Sequence, residues 1–266
     1  MAFPDWLIMP ELSTVADAQQ KTVRSAVAPL LGDARISAPL TSQLVAGDVL
    51  TVMDGRGDWL QVRGADGYEG WTHAGYVMPS TGSEATWRVS LGCQVRDVLG
   101  TLRALPLGAR VAPGADVVAG TVVTAEQRPL DFPLRADALA HSAERHFSGA
   151  SYLWGGVTPW GCDCSGFVQR IFALHGLQLP RDAWQQALLG EPVSERADDE
   201  HAPADLLFFS DREDRRVTHV GMALDGRRMV HSALMRGGIS IEQLHSGDPY
   251  VARLRAQCVG VRRLIG

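Results

Sequence analysis

The sequence predicts an α+β chain, with a first half made of small all-β units and a second in which helices precede an antiparallel sheet. Three observations predict it. Residues 38–77 read as short alternating runs cut by turn signals, residues 136–147 and 164–175 carry apolar stripes at helical spacing, and from Leu206 onward the alternation returns to a period of two. With 266 residues and 45% hydrophobic composition the chain can bury a substantial core. Its 30 acidic and 25 basic residues give a net charge of -5, and the arginines are scattered, so nothing draws it to nucleic acid or an anionic bilayer. No stretch approaches the ~20 apolar residues of a membrane-spanning helix, so membrane insertion is not expected. Residues 1–11 have no basic segment ahead of the short apolar run 6–9, which makes the cytoplasm the expected compartment.

Within the first half, Val49, Leu50, Thr51 and Val52 lead into Asp54-Gly55, residues 59–62 lead into Asp66-Gly67, and Trp71 follows. That spacing predicts a small antiparallel barrel within residues 1–80. A fainter version, with strand fragments at 88–90, 108–111 and 120–123, predicts a second in residues 81–132. After Pro133 the helical period begins, and residues 133–266 form one further domain. Its first helix, 136–147, stops near Gly149. The next, 164–175, buries Phe167, Val168, Ile171, Phe172 and Leu174 and stops at Gly176. A third is expected from Asp182 as N-cap to Gly190. Strands are expected at 206–209, 217–224, 229–234 and 260–264.

The four cysteines, Cys93, Cys162, Cys164 and Cys258, are too few for a disulfide scaffold. Cys164 follows a loop rich in glycine and aromatic residues (Tyr152, Trp154-Gly155-Gly156, Trp160-Gly161) and opens a helix, where free backbone donors and the dipole favour a thiolate. An isolated cysteine is more often simple packing; two histidines change that weighing. His219 lies on a predicted strand beside Gly221 and Ala223, and His231 lies on the next at an even separation. If Asp225-Gly226-Arg227 is a three-residue loop, Leu224 pairs with Arg228 and Gly221 with His231, so both imidazoles share a face. A two-residue turn would separate them. Cys164, His219 and His231 then suit a nucleophile, a base and the group that orients the base. Zinc fits poorly, because structural sites use paired C-x2-4-C knuckles and this chain has Cys-x-Cys with remote histidines; the chemistry calls for no metal or cofactor.

Taken together, Tyr152-Leu153-Trp154-Gly155-Gly156, Asp163-Cys164-Ser165-Gly166-Phe167-Val168-Gln169, Leu179-Pro180-Arg181-Asp182 with Gln185, Asp205-Leu206-Leu207-Phe208-Phe209, Thr218-His219-Val220-Gly221 and Val230-His231 resemble the NlpC-type family of cell-wall cysteine peptidases. The resemblance covers residues 136–264 and implies a papain-like core with an antiparallel sheet and N-terminal helices. Gly57-Asp58-Trp59 and Gly67-Tyr68-Glu69-Gly70-Trp71 are similar to the bacterial SH3-like domains found ahead of such peptidases. Two such barrels before the catalytic domain resemble the γ-D-glutamyl-L-diamino acid endopeptidases, which implies hydrolysis of murein peptides, turnover fragments with a free N-terminal L-Ala. It also implies Tyr152 and the Cys164 N–H at the oxyanion, Asp163 and Ser165 binding the peptide beside Trp154, and Arg181 or Asp182 reading its polar groups. Asp182 fits a plain N-cap equally well. In the first barrel Tyr68 and an acidic residue, Asp48 or Glu69, would close the substrate end, although Tyr68 suits packing beside Trp71 equally. Two positions depart from the family: Ala204 stands where glycine is usual, and Cys162 places a second, redox-sensitive thiol near the nucleophile. The competing readings are an amidase or acyltransferase on the same core and a non-catalytic cell-wall-fragment binding protein; the intact Cys164, His219 and His231 argue against the last.

Overall fold

The computed structural model describes residues 19–80, 87–97 and 100–266. The reading of residues 1–11 and the start of the second β unit at residues 81–86 lie outside them. The chain divides into two compact units, Met1–Asp131 and Phe132–Gly266.

In the first unit, β1 (Gln20–Val23), β2 (Val27–Leu31), β3 (Leu40–Val45), β4 (Val49–Arg56), β5 (Trp59–Arg63), β6 (Glu69–His73) and β7 (Val77–Pro79) form one antiparallel sheet in the order β3-β2-β6-β5-β4-β1-β7. Alternation puts Val23, Ala28, Leu30, Leu44, Leu50, Val62 and Val77 inside, with Tyr68 half-buried against them. A second sheet centres on β8 (Arg88–Arg96), which pairs with β9 (Leu102–Leu105), β10 (Arg110–Val111) and β11 (Asp116–Val123). Its core of Cys93, Val95, Leu105, Ala109 and Val111 includes Val45 and Ala46 from the first sheet, so the two sheets share an interior. One helical turn, α1 (Arg128–Asp131), ends the unit.

The second unit runs α2 (Ala136–His146), β12 (Val157–Thr158), β13 (Gly161–Cys162), α3 (Cys164–Leu174), α4 (Ala183–Gln186), β14 (Glu191–Ser194), β15 (Leu206–Phe209), β16 (His219–Ala223), β17 (Arg228–Ala233), β18 (Gly238–Gln243), α5 (Pro249–Ala256) and β19 (Cys258–Arg263). Its main sheet has the antiparallel order β14-β19-β15-β16-β17-β18. The stripe on α3 is buried as its spacing requires: Phe167, Val168, Ile171 and Phe172 are inaccessible, each worth about 1.5–3 kcal/mol of apolar burial, and Phe167 meets Phe147 edge to face at 5.2 Å. α3 packs on α2 and against β16 and β17.

Two expectations need correction. The helices do not all precede the sheet, because α5 is inserted before the last strand, started by Asp248 accepting from the Tyr250 N–H at 2.7 Å and by Pro249 in the first turn. The helix from Asp182 ends at Gln186, not near Gly190, because the chain turns there to pair Glu191 with Arg263 in the edge strand β14. Neither β14 nor β18 was anticipated.

Ala204, in place of the expected glycine, has a left-handed backbone with φ 64°. It is locked there: its N–H donates to the Ala223 carbonyl at 2.8 Å, and the next residue, Asp205, is 1% exposed and accepts from Arg263 Nε at 2.7 Å and Nη2 at 2.8 Å. A left-handed alanine costs about 1–2 kcal/mol, and glycine gives back part of that through its freer unfolded chain. Ala204→Gly is therefore expected to stabilise the second unit by about 0.5–1 kcal/mol, a rise of a few degrees in its thermal transition; a lower transition would show that the methyl group's packing outweighs the backbone strain.

Candidate active site

Cys164 is the first residue of α3, and Asp163 is its N-cap. The loop before the helix is drawn tightly onto it. A Cβ on Gly166 would lie 2.2 Å from the Gly156 carbonyl oxygen, and one on Gly156 would lie 2.4 Å from that of Gly161, so both positions require glycine. Asp163 Oδ1 accepts from the Gly166 N–H at 2.8 Å and Oδ2 from the Gly155 N–H at 2.9 Å. Arg181, 2% exposed, completes the arrangement: Nη1 donates to Asp163 Oδ1 at 3.0 Å and to Ser165 Oγ at 2.9 Å, and Nη2 to Asp163 Oδ2 at 2.6 Å. Ser165 Oγ in turn donates to Asp163 Oδ1 at 3.3 Å. Arg181, Asp163 and Ser165, expected as readers of the substrate, are thus also bonded to one another at the start of α3. Gln186 adds to these bonds, donating to the Ser165 carbonyl at 3.1 Å and the Pro180 carbonyl at 2.8 Å.

The histidines come from the β16–β17 hairpin. Met222 pairs with Val230 and Ala223 with Met229, and the Leu224 N–H donates to the Arg228 carbonyl, which is the register of a three-residue loop. His219 and His231 therefore share a face, with His219 Nε2 2.8 Å from His231 Nδ1. Beside His219, Met229 covers Gly221, with its sulfur 2.4 Å from where a Cβ would stand. Cys164 reaches β16 through the Val220 N–H, the residue next to His219. On the other side His231, fully buried, has Nε2 3.4 Å from Glu242 Oε1 on β18. Glu242 was missed by sequence reasoning. On β18, which the sequence did not reveal, His231 pairs with Ser240, and period two then puts Glu242 on the same face.

Tyr152 is half-buried beside the nucleophile loop, its backbone bridged to Cys162. Trp154 is 69% exposed on that loop. Asp182 is half-buried as the N-cap of α4, where its N–H donates to Gln185 Oε1 at 3.4 Å. Cys162 is fully buried, and its carbonyl accepts from Ser232 Oγ of β17 at 2.7 Å. In the first unit, Asp48 Oδ2 accepts from the Val45 N–H at 2.8 Å, and Glu69 is ion-paired to Arg63.

Residues 149–256 match the model of the NlpC/P60 family, and residues 30–74 match that of the bacterial dipeptidyl-peptidase Sh3 domain. The chain belongs to the NlpC/P60 family of cysteine peptidases. It is 46% identical over 99 residues to the γ-D-glutamyl-L-lysine dipeptidyl-peptidase of Bacillus subtilis strain 168, covering 37% of this chain and 32% of that protein. It is 27% identical over 246 residues to the protein of that name from Bacillus cereus, covering 78% of this chain and 71% of that one. The match thus spans about a third of the B. subtilis relative's length. Among solved structures, an NlpC/P60 family protein from Bacillus cereus shares the fold with a TM-score of 0.75 at 18% identity, over 93% of this chain and all of that one.

For an NlpC/P60 site the resting electrostatics are informative. Burial pushes the Cys164 thiol up to about 12, the Asp163 carboxylate adds to the rise, and the opposing N–H groups of Val220 and Ser165 do not overcome it. Burial pushes His219 down to about 3, with His231 acting in the same direction. Burial also holds the Tyr152 hydroxyl above its ordinary value, so it keeps its proton as a donor. Both shifts oppose the thiolate expected at a helix N-terminus, burial being the larger influence on each group. Both directions favour the neutral thiol and the neutral imidazole.

Two outcomes follow from this geometry. Iodoacetamide modification of Cys164, read by fragment mass spectrometry, should keep rising as pH increases above 8; a plateau from pH 5 to 8 would indicate a preformed thiolate–imidazolium pair instead. Arg181→Met should destabilise the second unit by about 3 kcal/mol in denaturant titration, because it leaves Asp163 buried without its counter-charge.

Proposed function

We propose that this chain hydrolyses the γ-D-glutamyl-L-diamino acid bond of murein peptides, acting on turnover fragments with a free N-terminal L-Ala. The observation that carries the catalytic part is the 2.8 Å contact between His219 and His231 on the strand that Cys164 touches. The substrate part is supported by the γ-D-glutamyl-L-lysine dipeptidyl-peptidases among the relatives, one of which aligns over 246 residues, and by the dipeptidyl-peptidase Sh3 match in the first unit. In this reading His219 takes the Cys164 proton as sulfur attacks the γ-carbonyl carbon. The Cys164 N–H and the Tyr152 hydroxyl receive the oxyanion, the imidazolium gives its proton to the departing amine, and water then resolves the thioester. His231 orients the base. Trp154, exposed on the nucleophile loop, and Asp182, half-buried at the start of α4, remain for substrate recognition.

Mass spectrometry of L-Ala-γ-D-Glu-L-Lys, and of its meso-diaminopimelate counterpart, should show release of L-Ala-D-Glu by wild type and a loss of at least about 10⁴-fold in Cys164→Ala. An N-acetylated peptide should resist cleavage. No release by folded wild type would refute the substrate assignment, equal release by Cys164→Ala would refute the nucleophile, and equal cleavage of the acetylated peptide would remove the free-amine requirement.

A further inference from the structure

Behind His231 stands a carboxylate that the reaction as described does not use. Glu242 is 4% exposed, and its oxygens face groups with hydrogens to give. Oε1 accepts from Arg236 Nε at 2.8 Å and from Ser240 Oγ at 2.8 Å, and lies 3.4 Å from His231 Nε2; Oε2 accepts from Arg236 Nη2 at 2.9 Å. Arg236 is fixed in its turn, since Nη2 also donates to Asp248 Oδ2 at 2.9 Å and the guanidinium lies 4.6 Å over the Tyr250 ring. Asp248 is the N-cap of α5. A line of contacts thus runs from the start of α5 through Asp248, Arg236 and Glu242 to the two histidines.

The direction of the hydrogen bonds along that line follows from Glu242. Burial alone would raise Glu242, but hydrogen bonds from His231, Arg236 and Ser240 hold it down to about 2, so it is a carboxylate with no proton to give. The nitrogen of His231 that faces it must therefore be N–H. A neutral imidazole has one N–H and one lone pair. Its lone pair is then on Nδ1. His219 Nε2, 2.8 Å from that lone pair, must in turn carry the hydrogen, which leaves the lone pair of His219 on Nδ1, the nitrogen not engaged with His231.

We propose that Glu242 is a positioning residue that sets the tautomers of His231 and His219 in sequence, so that His219 presents a lone pair at Nδ1 to the thiol of Cys164. This rests on the reading of Cys164 and His219 as nucleophile and base. A glutamine at 242 keeps the volume but can turn its NH2 toward His231. Nε2 then becomes the acceptor, Nδ1 carries the hydrogen, His219 Nε2 accepts it, and the His219 hydrogen moves to Nδ1, where it blocks proton uptake from sulfur.

The test is ¹⁵N imidazole NMR of the full chain, with histidines assigned from single variants, combined with steady-state kinetics. In wild type both His219 and His231 should be Nε2–H tautomers. In Glu242→Gln both should shift toward Nδ1–H, with kcat reduced about 100-fold or more and KM nearly unchanged. A wild-type His231 found as the Nδ1–H tautomer overturns the proposal even if the variant does not fold, as does a folded Glu242→Gln with unchanged tautomers and kcat. The tautomers are read without substrate. Wild type inactive on murein peptides but with the Nε2–H pair would therefore refute the proposed function alone, and an active wild type with other tautomers would refute this proposal alone.

Discussion

Between β16 and β17 the chain reverses in three residues, and Asp225 holds the reversal closed: Oδ1 accepts from the N–H groups of Arg227 and Arg228 at 2.9 Å each, and Oδ2 from Arg228 Nε at 2.7 Å. Strand side chains alternate with a period of two, so a loop one residue shorter would move His231 to the opposite face and remove the contact with His219. The consequence extends one strand further. β18 takes its register from β17, pairing His231 with Ser240, and so Glu242 joins the face that the histidines share. One loop length thus orders three side chains from three strands.

The nucleophile end is ordered by a different constraint. A carboxylate at a helix N-cap is ordinarily favourable, because it meets unsatisfied N–H groups and the positive end of the dipole. Here the same carboxylate neighbours a sulfur that must become an anion, and it raises the thiol's pKa. Arg181 meets both demands. It places a buried positive charge on Asp163 and bonds Ser165, so the cap is kept while its negative field at the sulfur is reduced. The Gly155-Gly156 loop closes over the cap through the Gly155 N–H, and the absence of side chains at Gly156 and Gly166 allows that approach.

Much of this was legible in the sequence, and the parts that were not share a cause. The apolar stripe of α3, the position of Cys164 at its start and the even spacing of the histidines are local patterns, and local periodicity reports them directly. Ala204 was legible as a misfit, and its positive φ is the physical content of that misfit. The ion pairs of Arg181 and Glu242 were not legible because buried pairs are long-range: Asp163 lies 18 residues from Arg181, and His231 lies 11 from Glu242. A charged residue in sequence looks like a solvated one until its partner is known. In β18 the pattern also misleads, because Ile241 is exposed and Glu242 buried, the reverse of what hydrophobicity suggests. Helix α4 failed for a third reason, that strand pairing at Glu191 overrides helical propensity after Gln186.

Shifts that favour the neutral forms of Cys164 and His219 have consequences for how such a site operates. A preformed thiolate reacts with any electrophile or oxidant that reaches it, whereas a neutral thiol becomes nucleophilic only as its proton is taken. That transfer creates an ion pair in a poorly solvated place, so it is favourable only where charge developing on the substrate is met at the same moment by donors such as the Cys164 N–H and a Tyr152 hydroxyl that has kept its proton. Reactivity is then conditional on a carbonyl lying between sulfur and those donors. Cys162 is a fully buried thiol that burial likewise pushes up, to about 12.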